Sequence, residues 1–187
     1  MSSGSVIGIT NLPNQYHKIV SRKTVNFTIL LVGASGSGKT TFINTLFNTD
    51  LKEPSVPSLT ERTLRMDISR VELEEKGFKT RLTIIDTPGF GDFVNNQSCW
   101  ESVVSFIDNQ YEDYLENEIQ TSRKVTDYDD VRIHACLYFI APSGHTLSSL
   151  DVKAMKELGS RVNLIPVIAK ADTLTKEEIM GFKERVI

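Results

Sequence analysis

Only two of the 187 residues are cysteine, Cys99 and Cys136, and their wide separation excludes both a close-spaced zinc site and a disulfide framework. No apolar run approaches the roughly 20 residues a membrane-spanning helix needs, and the N-terminus lacks the apolar stretch of a signal peptide. The chain is therefore expected to be soluble and intracellular. Charge of one sign is also missing. With 21 Lys and Arg against 24 Asp and Glu the formal net charge is −3, so no global field draws the chain to nucleic acid, and anionic lipid would need a local patch. Internal repeats and low-complexity tracts are absent. What remains is a composition 40% hydrophobic and 24% charged, at a length suited to one globular core.

From Met1 to about Lys23 the sequence is polar and irregular, with Lys18, Arg22 and Lys23 as a small basic cluster, and it reads as a leader before the domain. Asn26 to Val32 is a nearly continuous apolar run stopped by Gly33, which suits a strand buried on both faces of a parallel sheet. Thr40 to Phe47 places Phe42, Ile43, Leu46 and Phe47 at helical spacing, and the segment Asp50 to Thr60 breaks that pattern. Leu64, Met66 and Ile68 alternate with polar residues and the phase slips near Ser69 and Arg70. Val71 and Leu73 then resume before a turn leads into Leu82, Ile84 and Ile85, so a hairpin is expected. From Trp100 the residues Val104, Ile107, Tyr111 and Leu115 recur at helical steps, with an acidic opposite face. Ala135 to Ile140 and Asn163 to Ala169 are two further buried-strand runs around a helical Leu150 to Leu158. This alternation predicts a three-layer α/β fold with a mainly parallel sheet.

Gly33-Ala34-Ser35-Gly36-Ser37-Gly38-Lys39-Thr40 fits the phosphate-binding pattern G-x-x-x-x-G-K-[ST] in full, after a strand and before a helix. Glycines let the N–H groups of the loop, those of Ser35 and Ser37 included, turn toward phosphate oxygens, and the helix start adds further unpaired N–H groups. Lys39 is expected to reach the β- and γ-phosphates and Thr40 to ligate magnesium, with Thr41 beside it on the phosphate side. Asp86-Thr87-Pro88-Gly89 ends a strand, where a metal-side aspartate belongs. Alone it is an ordinary turn signal. With the upstream loop, Asp86 reads as a magnesium residue and Gly89 as a close approach to the γ-phosphate, ahead of a phosphate-sensing Phe90 to Asn96 loop. Ala169-Lys170-Ala171-Asp172 resembles the Asn-Lys-x-Asp base motif of GTPases with alanine for asparagine. Asp172 would accept two bonds from guanine, Lys170 would lie over the base, and Thr173 adjoins them. Thr63 lies where such GTPases carry a switch threonine that contacts γ-phosphate and metal, and it is the one catalytic candidate.

Read together, Gly33 to Thr40, Asp86 to Asp92, Pro142-Ser143-Gly144-His145 and Ile165 to Leu174 resemble the septin family of filament-forming GTPases, and the leader Gly8 to Gln15 is most like the fungal members. The resemblance spans essentially the whole chain. It implies a P-loop NTPase fold of the Ras-like GTPase type, with a leader over 1–23 and a septin-type GTPase domain over 24–187. The family pattern continues beyond Ile187, so that domain is expected to be C-terminally incomplete. GTP or GDP with Mg2+ is the implied cofactor. Two such domains face each other across the nucleotide, which puts His145 and Glu178 in roles toward the partner's ligand. Each has a plainer reading, an exposed loop for His145 and a capping box over Thr175 to Glu178. The implied partners are other septins and, through the basic cluster, anionic membrane lipids. The implied place is the cytoplasmic cytoskeleton at the cell cortex or division site, the bud neck or septum in a fungus. Phe90 replaces the water-orienting glutamine of Ras-like enzymes, so any GTP hydrolysis is expected to be slow. A monomeric switch GTPase acting through Thr63 and the Phe90 loop is the alternative to a filament subunit.

Overall fold

Strand β1, Val25–Gly33, is the middle of the molecule, and its alternating side chains found the two cores. The structure, a computed structural model, describes residues 12–16, 24–47, 66–75, 78–89, 99–120, 132–142 and 146–186. After β1 come helix α1 (Lys39–Phe47), the antiparallel pair β2 (Asp67–Glu75) and β3 (Phe78–Asp86), and helix α2 (Cys99–Ile119). Strand β4 (Ala135–Ile140), helix α3 (Ser149–Gly159), strand β5 (Leu164–Ile168) and helix α4 (Lys176–Val186) follow. The strands form one five-stranded sheet in the order β2-β3-β1-β4-β5, in which β1 runs parallel to β3 and β4, and β4 parallel to β5.

Successive side chains of a strand point to opposite faces, and β1 divides its apolar residues accordingly. Leu30 and Val32 join Ile85, Cys136, Tyr138 and Ile140 under Val103 and Ile107 of α2, Ala154 and Leu158 of α3, and Phe182 of α4. Ile29 and Leu31 join Leu82, Ile84 and Phe139 under Ile43 of α1. The result is the expected helix–sheet–helix sandwich, with the mainly parallel sheet inside.

The expected hairpin is present, with the residues of β2 paired one-for-one from Asp67↔Asp86 to Glu75↔Phe78 across the slip in apolar phase. The strand simply carries apolar residues on both faces, and Ile68 stays 46% exposed on a strand that is an edge among the described residues. Two other expectations, on β5 and α2, need correction. Strand β5 is likewise an edge among the described residues, so its Ile165 and Pro166 are exposed rather than buried. On α2 the core stripe ends at Ile107, while Tyr111 and Leu115 are exposed. A 21-residue helix is about 31 Å long, whereas the six residues of β4 cover about 20 Å, so the C-terminal half of α2 runs past the sheet. Tyr111 keeps one tie to the strand layer, its hydroxyl donating to the Ile133 carbonyl at 3.2 Å ahead of β4. No helix among the described residues is long and apolar enough to cross a membrane.

Candidate functional site

Because β1, β3, β4 and β5 run parallel, their carboxyl ends share one edge of the sheet, where Gly33, Asp86, Ile140 and Ile168 lie. Ligands of open α/β sheets gather at such an edge. The chain leaves β1 through Gly33, whose φ of 149° and contact with the Phe139 carbonyl leave no room for a Cβ. Gly36 and Gly38 follow at φ of 68° and 85°, conformations that disfavour other residues, and Ser37 N–H closes the turn on the Ala34 carbonyl at 3.3 Å. The loop thus curls over the start of α1, whose first residue is Lys39.

Lys39 is buried beneath this loop, and its ammonium donates to the carbonyls of Gly33 at 3.1 Å and Ala34 at 2.9 Å. A buried ammonium is costly unless well bonded, so the loop both holds the charge and keeps it at the phosphate side. The Ser37 hydroxyl is buried with no hydrogen-bond partner among the described residues, as suits a group awaiting an acceptor oxygen. Thr40 Oγ1 donates to Asp86 Oδ2 at 2.9 Å, which brings the first helix and the end of β3 together. A hydroxyl and a carboxylate side by side are hard oxygen donors of the kind magnesium takes alongside phosphate oxygens. The donor set therefore fits that ion, with Thr40 and Asp86 as the residues to hold it. Thr41, on the same first turn, is exposed.

Thr87 is buried, and both its N–H and its Oγ1 donate to the Leu31 carbonyl, at 3.2 and 2.8 Å. This pair of hydrogen bonds to β1 fixes the path of Pro88 and Gly89, which ends against the phosphate loop: a Cβ on Gly89 would collide with the backbone of Ser35.

Two strands away, Ala169 N–H reaches the Ile140 carbonyl at 2.9 Å as β5 ends. Lys170 then takes a left-handed conformation (φ 45°, ψ 46°), and a single 3-10 turn over Ala171–Thr173 follows. Thr173 donates from N–H and Oγ1 to the Lys170 carbonyl, at 3.0 and 2.8 Å, so the turn is self-supporting. Lys170, Asp172 and Thr173 are all exposed. Asp172 is not the dry carboxylate that full discrimination against adenine asks for, since none of the described residues covers it.

Glu178 accepts from Thr175 N–H and Oγ1, each at 2.9 Å, and its own N–H donates to Thr175 Oγ1 at 3.3 Å. This is the complete capping box at the start of α4. Thr63, His145, Phe90 and the Lys18, Arg22 and Lys23 cluster lie outside the described residues. The phosphate-loop residues, Asp86 and Gly89 are brought together, while Lys170, Asp172 and Thr173 occupy the same sheet edge further along. Sequence reasoning missed Thr87, whose anchoring bond is visible only once β1 and β3 are paired. It also missed Tyr138, whose buried hydroxyl donates to Asp151 Oδ1 at 2.7 Å and ties β4 to the first turn of α3. Burial and then that bond to Asp151 push the Tyr138 phenol pKa upward.

Comparison with known proteins bears on the same residues. A family model for septins matches residues 23–187. The chain is 52% identical over 185 residues to septin homolog spn4 of Schizosaccharomyces pombe, covering 96% of this chain and 48% of that protein. It is 52% identical over 184 residues to cell division control protein 12 of Saccharomyces cerevisiae, covering 96% of this chain and 45% of that one. Among solved structures, the septin GTPase domain from Chlamydomonas reinhardtii matches with a TM-score of 0.66 at 29% identity, over 88% of this chain and 59% of that one. The chain thus spans about half the length of the curated relatives it matches.

Proposed function

The chain belongs to the septin family, and on that premise we propose that it is a guanine-nucleotide-binding septin subunit that assembles with other septins into filaments at the cell cortex during division. The observation that carries this reading is the joint placement of the curled phosphate loop, the Thr40–Asp86 pair and the Lys170 to Thr173 turn on one edge of the sheet. The loop N–H groups and the buried Lys39 charge suit phosphates, and the turn after β5 suits the base. Thr40 and Asp86, with Thr63 as a further candidate, would hold magnesium, which would supply neutralisation of phosphate charge. The exposure of Lys170 and Asp172 leaves the base side open to a second subunit, which favours an interface nucleotide over a monomeric switch. His145 and Glu178 belong to that interface in this reading, Glu178 from within its capping box. Phe90 makes any hydrolysis slow, and the leader over 1–23 offers its three cations to anionic lipid.

Base choice tests the reading at one atom. Guanine presents an amino group at C2 and xanthine a carbonyl, so an acceptor at position 172 selects the first and an amide that can donate selects the second. Titration of the purified chain with GDP, ADP and XDP should show GDP preferred. Asp172→Asn should weaken GDP by about tenfold or more and move the preference to XDP. Equal binding of GDP and ADP by the wild type would contradict the proposal.

A further inference from the structure

The Thr40–Asp86 pair borders a small cavity of about 10 Å³. Its polar lining is Thr40, Asn44, Ser69 and Asp86, and the buried side chains of Leu31, Ile43 and Ile84 close the remainder. Three elements bring this lining together. Asn44 follows Thr40 on α1 by one helical turn, so the two share a side of the helix. Ser69 pairs with Ile84 across the antiparallel β2–β3 ladder, and residues paired in this way share a face of the sheet. Asp86 lies two positions beyond Ile84 on β3 and therefore on that face as well, which α1 covers. The two oxygens of the Asp86 carboxylate are placed differently. Oδ2 accepts from Thr40 Oγ1 at 2.9 Å, while Oδ1 is shut off from solvent, as is Oδ1 of Asn44. A cavity of this size with polar side chains on several sides meets the needs of one water molecule, which takes about 10–15 Å³ and roughly two to four polar partners.

We propose that Asn44 and Ser69 are positioning residues for magnesium: with one water in the cavity they share with Asp86, they hold Oδ1 of that carboxylate and so fix how Asp86 and Thr40 present their oxygens to the ion. This inference rests on the guanine-nucleotide reading above and on the fit of magnesium to Thr40 and Asp86. Neither Asn44 nor Ser69 belongs to the phosphate-loop pattern or to the Asp86 to Gly89 string, so the motifs alone do not point to them. Their effect is on orientation. Once either polar group is removed, the carboxylate can turn about its Cβ–Cγ bond and its oxygens are no longer preset for the ion. Outer partners of this kind typically weigh about 10–100-fold in metal affinity.

The test compares the full chain with Asn44→Leu, Ser69→Ala and Ser69→Thr, measuring GDP affinity by calorimetry in excess EDTA and at increasing magnesium, and folding by a melting curve. Asn44→Leu and Ser69→Ala should need about tenfold more magnesium to reach the tight GDP complex, while their GDP affinity in EDTA stays within about twofold of wild type. Ser69→Thr keeps the hydroxyl and should behave as wild type. An unchanged magnesium requirement in Ser69→Ala, or in a folded Asn44→Leu, would overturn the inference. So would equal losses of GDP affinity with and without magnesium, which mark a merely structural role. A wild type that binds GDP equally with and without magnesium would overturn the metal role of Asp86 and this inference together, while leaving the base reading intact. One that binds no GDP at all would overturn the nucleotide reading itself.

Discussion

At the scale of single residues, Gly89 is, with Gly33, one of two described glycines whose surroundings leave no room for a Cβ. The atoms a methyl group would meet there are the Cα and N of Ser35, which are backbone and cannot swing aside. Gly89→Ala must therefore displace either the phosphate loop or the strand end anchored by Thr87. The expected outcome is a folded protein whose affinity for a GTP analogue falls about tenfold or more, read by titration beside a melting curve that shifts by only a few degrees. Cys136 makes the opposite case, a reactive residue type made inert. Burial pushes its thiol up from 9.0 to about 12, so at pH 8 it should resist alkylation in the folded chain and react after unfolding, read by mass spectrometry of its peptide. The linked stability has a definite sign. The unfolded thiol ionises above about pH 9 and the folded one does not, so this contribution is complete below pH 9 and is lost as pH rises toward 12. The stability difference between wild type and Cys136→Ala should accordingly shrink by about 1 kcal/mol between pH 8 and pH 10. Much at this scale was legible in the sequence. The phosphate loop and Asp86 depend on local pattern and strand context, and Lys39, Thr40 and Asp86 do converge. Thr87 was not legible, because its partner Leu31 is 56 positions away and no local pattern links them.

At the scale of elements, helix periodicity identified which face of α2 is apolar but not where its support ends. Val103 and Ile107 are fully buried, Leu115 is 58% exposed and Ile119 is 72% exposed, although all four lie in one continuous helix. Ile107→Ala should cost about 2–5 kcal/mol through lost contacts and a cavity, whereas Leu115→Ala should cost less than about 0.5 kcal/mol, both measured by urea unfolding. Equal losses would mean that the far end of α2 is packed in solution. The same limit explains β5. Its apolar run reads as a strand buried on both faces, yet burial depends on a neighbour beyond the strand, and among the described residues it has none on its outer side. In β2, too, the apolar phase slips while the register is unbroken, and β2 is an edge among the described residues. Period and length are properties of a segment; edge or centre is a property of the sheet.

At the scale of the whole molecule, alternation of strand and helix was enough to infer the three-layer architecture, because parallel strands need covering helices on both faces. The strand order was not inferred. It places β1 between β3 and β4, so the phosphate loop lies beside the Asp86 strand end and one strand removed from the Lys170 to Thr173 turn. That spacing offers one elongated ligand both a phosphate end and a base end along the sheet edge. The base end is open, and a nucleotide held there would be part of a surface that a second subunit could cover. The nucleotide would then be a structural component of assembly, and loss of the phosphate site should cost the oligomer as well as the ligand. The most direct test measures guanine-nucleotide content and oligomeric size of the same purified sample, by ion-exchange chromatography of the released nucleotide and by light scattering, beside Lys39→Ala. Bound GDP or GTP in oligomers of the wild type, with both lost together in the variant, is the expected result. Nucleotide bound to a strictly monomeric wild type, or oligomers unchanged in the nucleotide-free variant, would contradict the interface role.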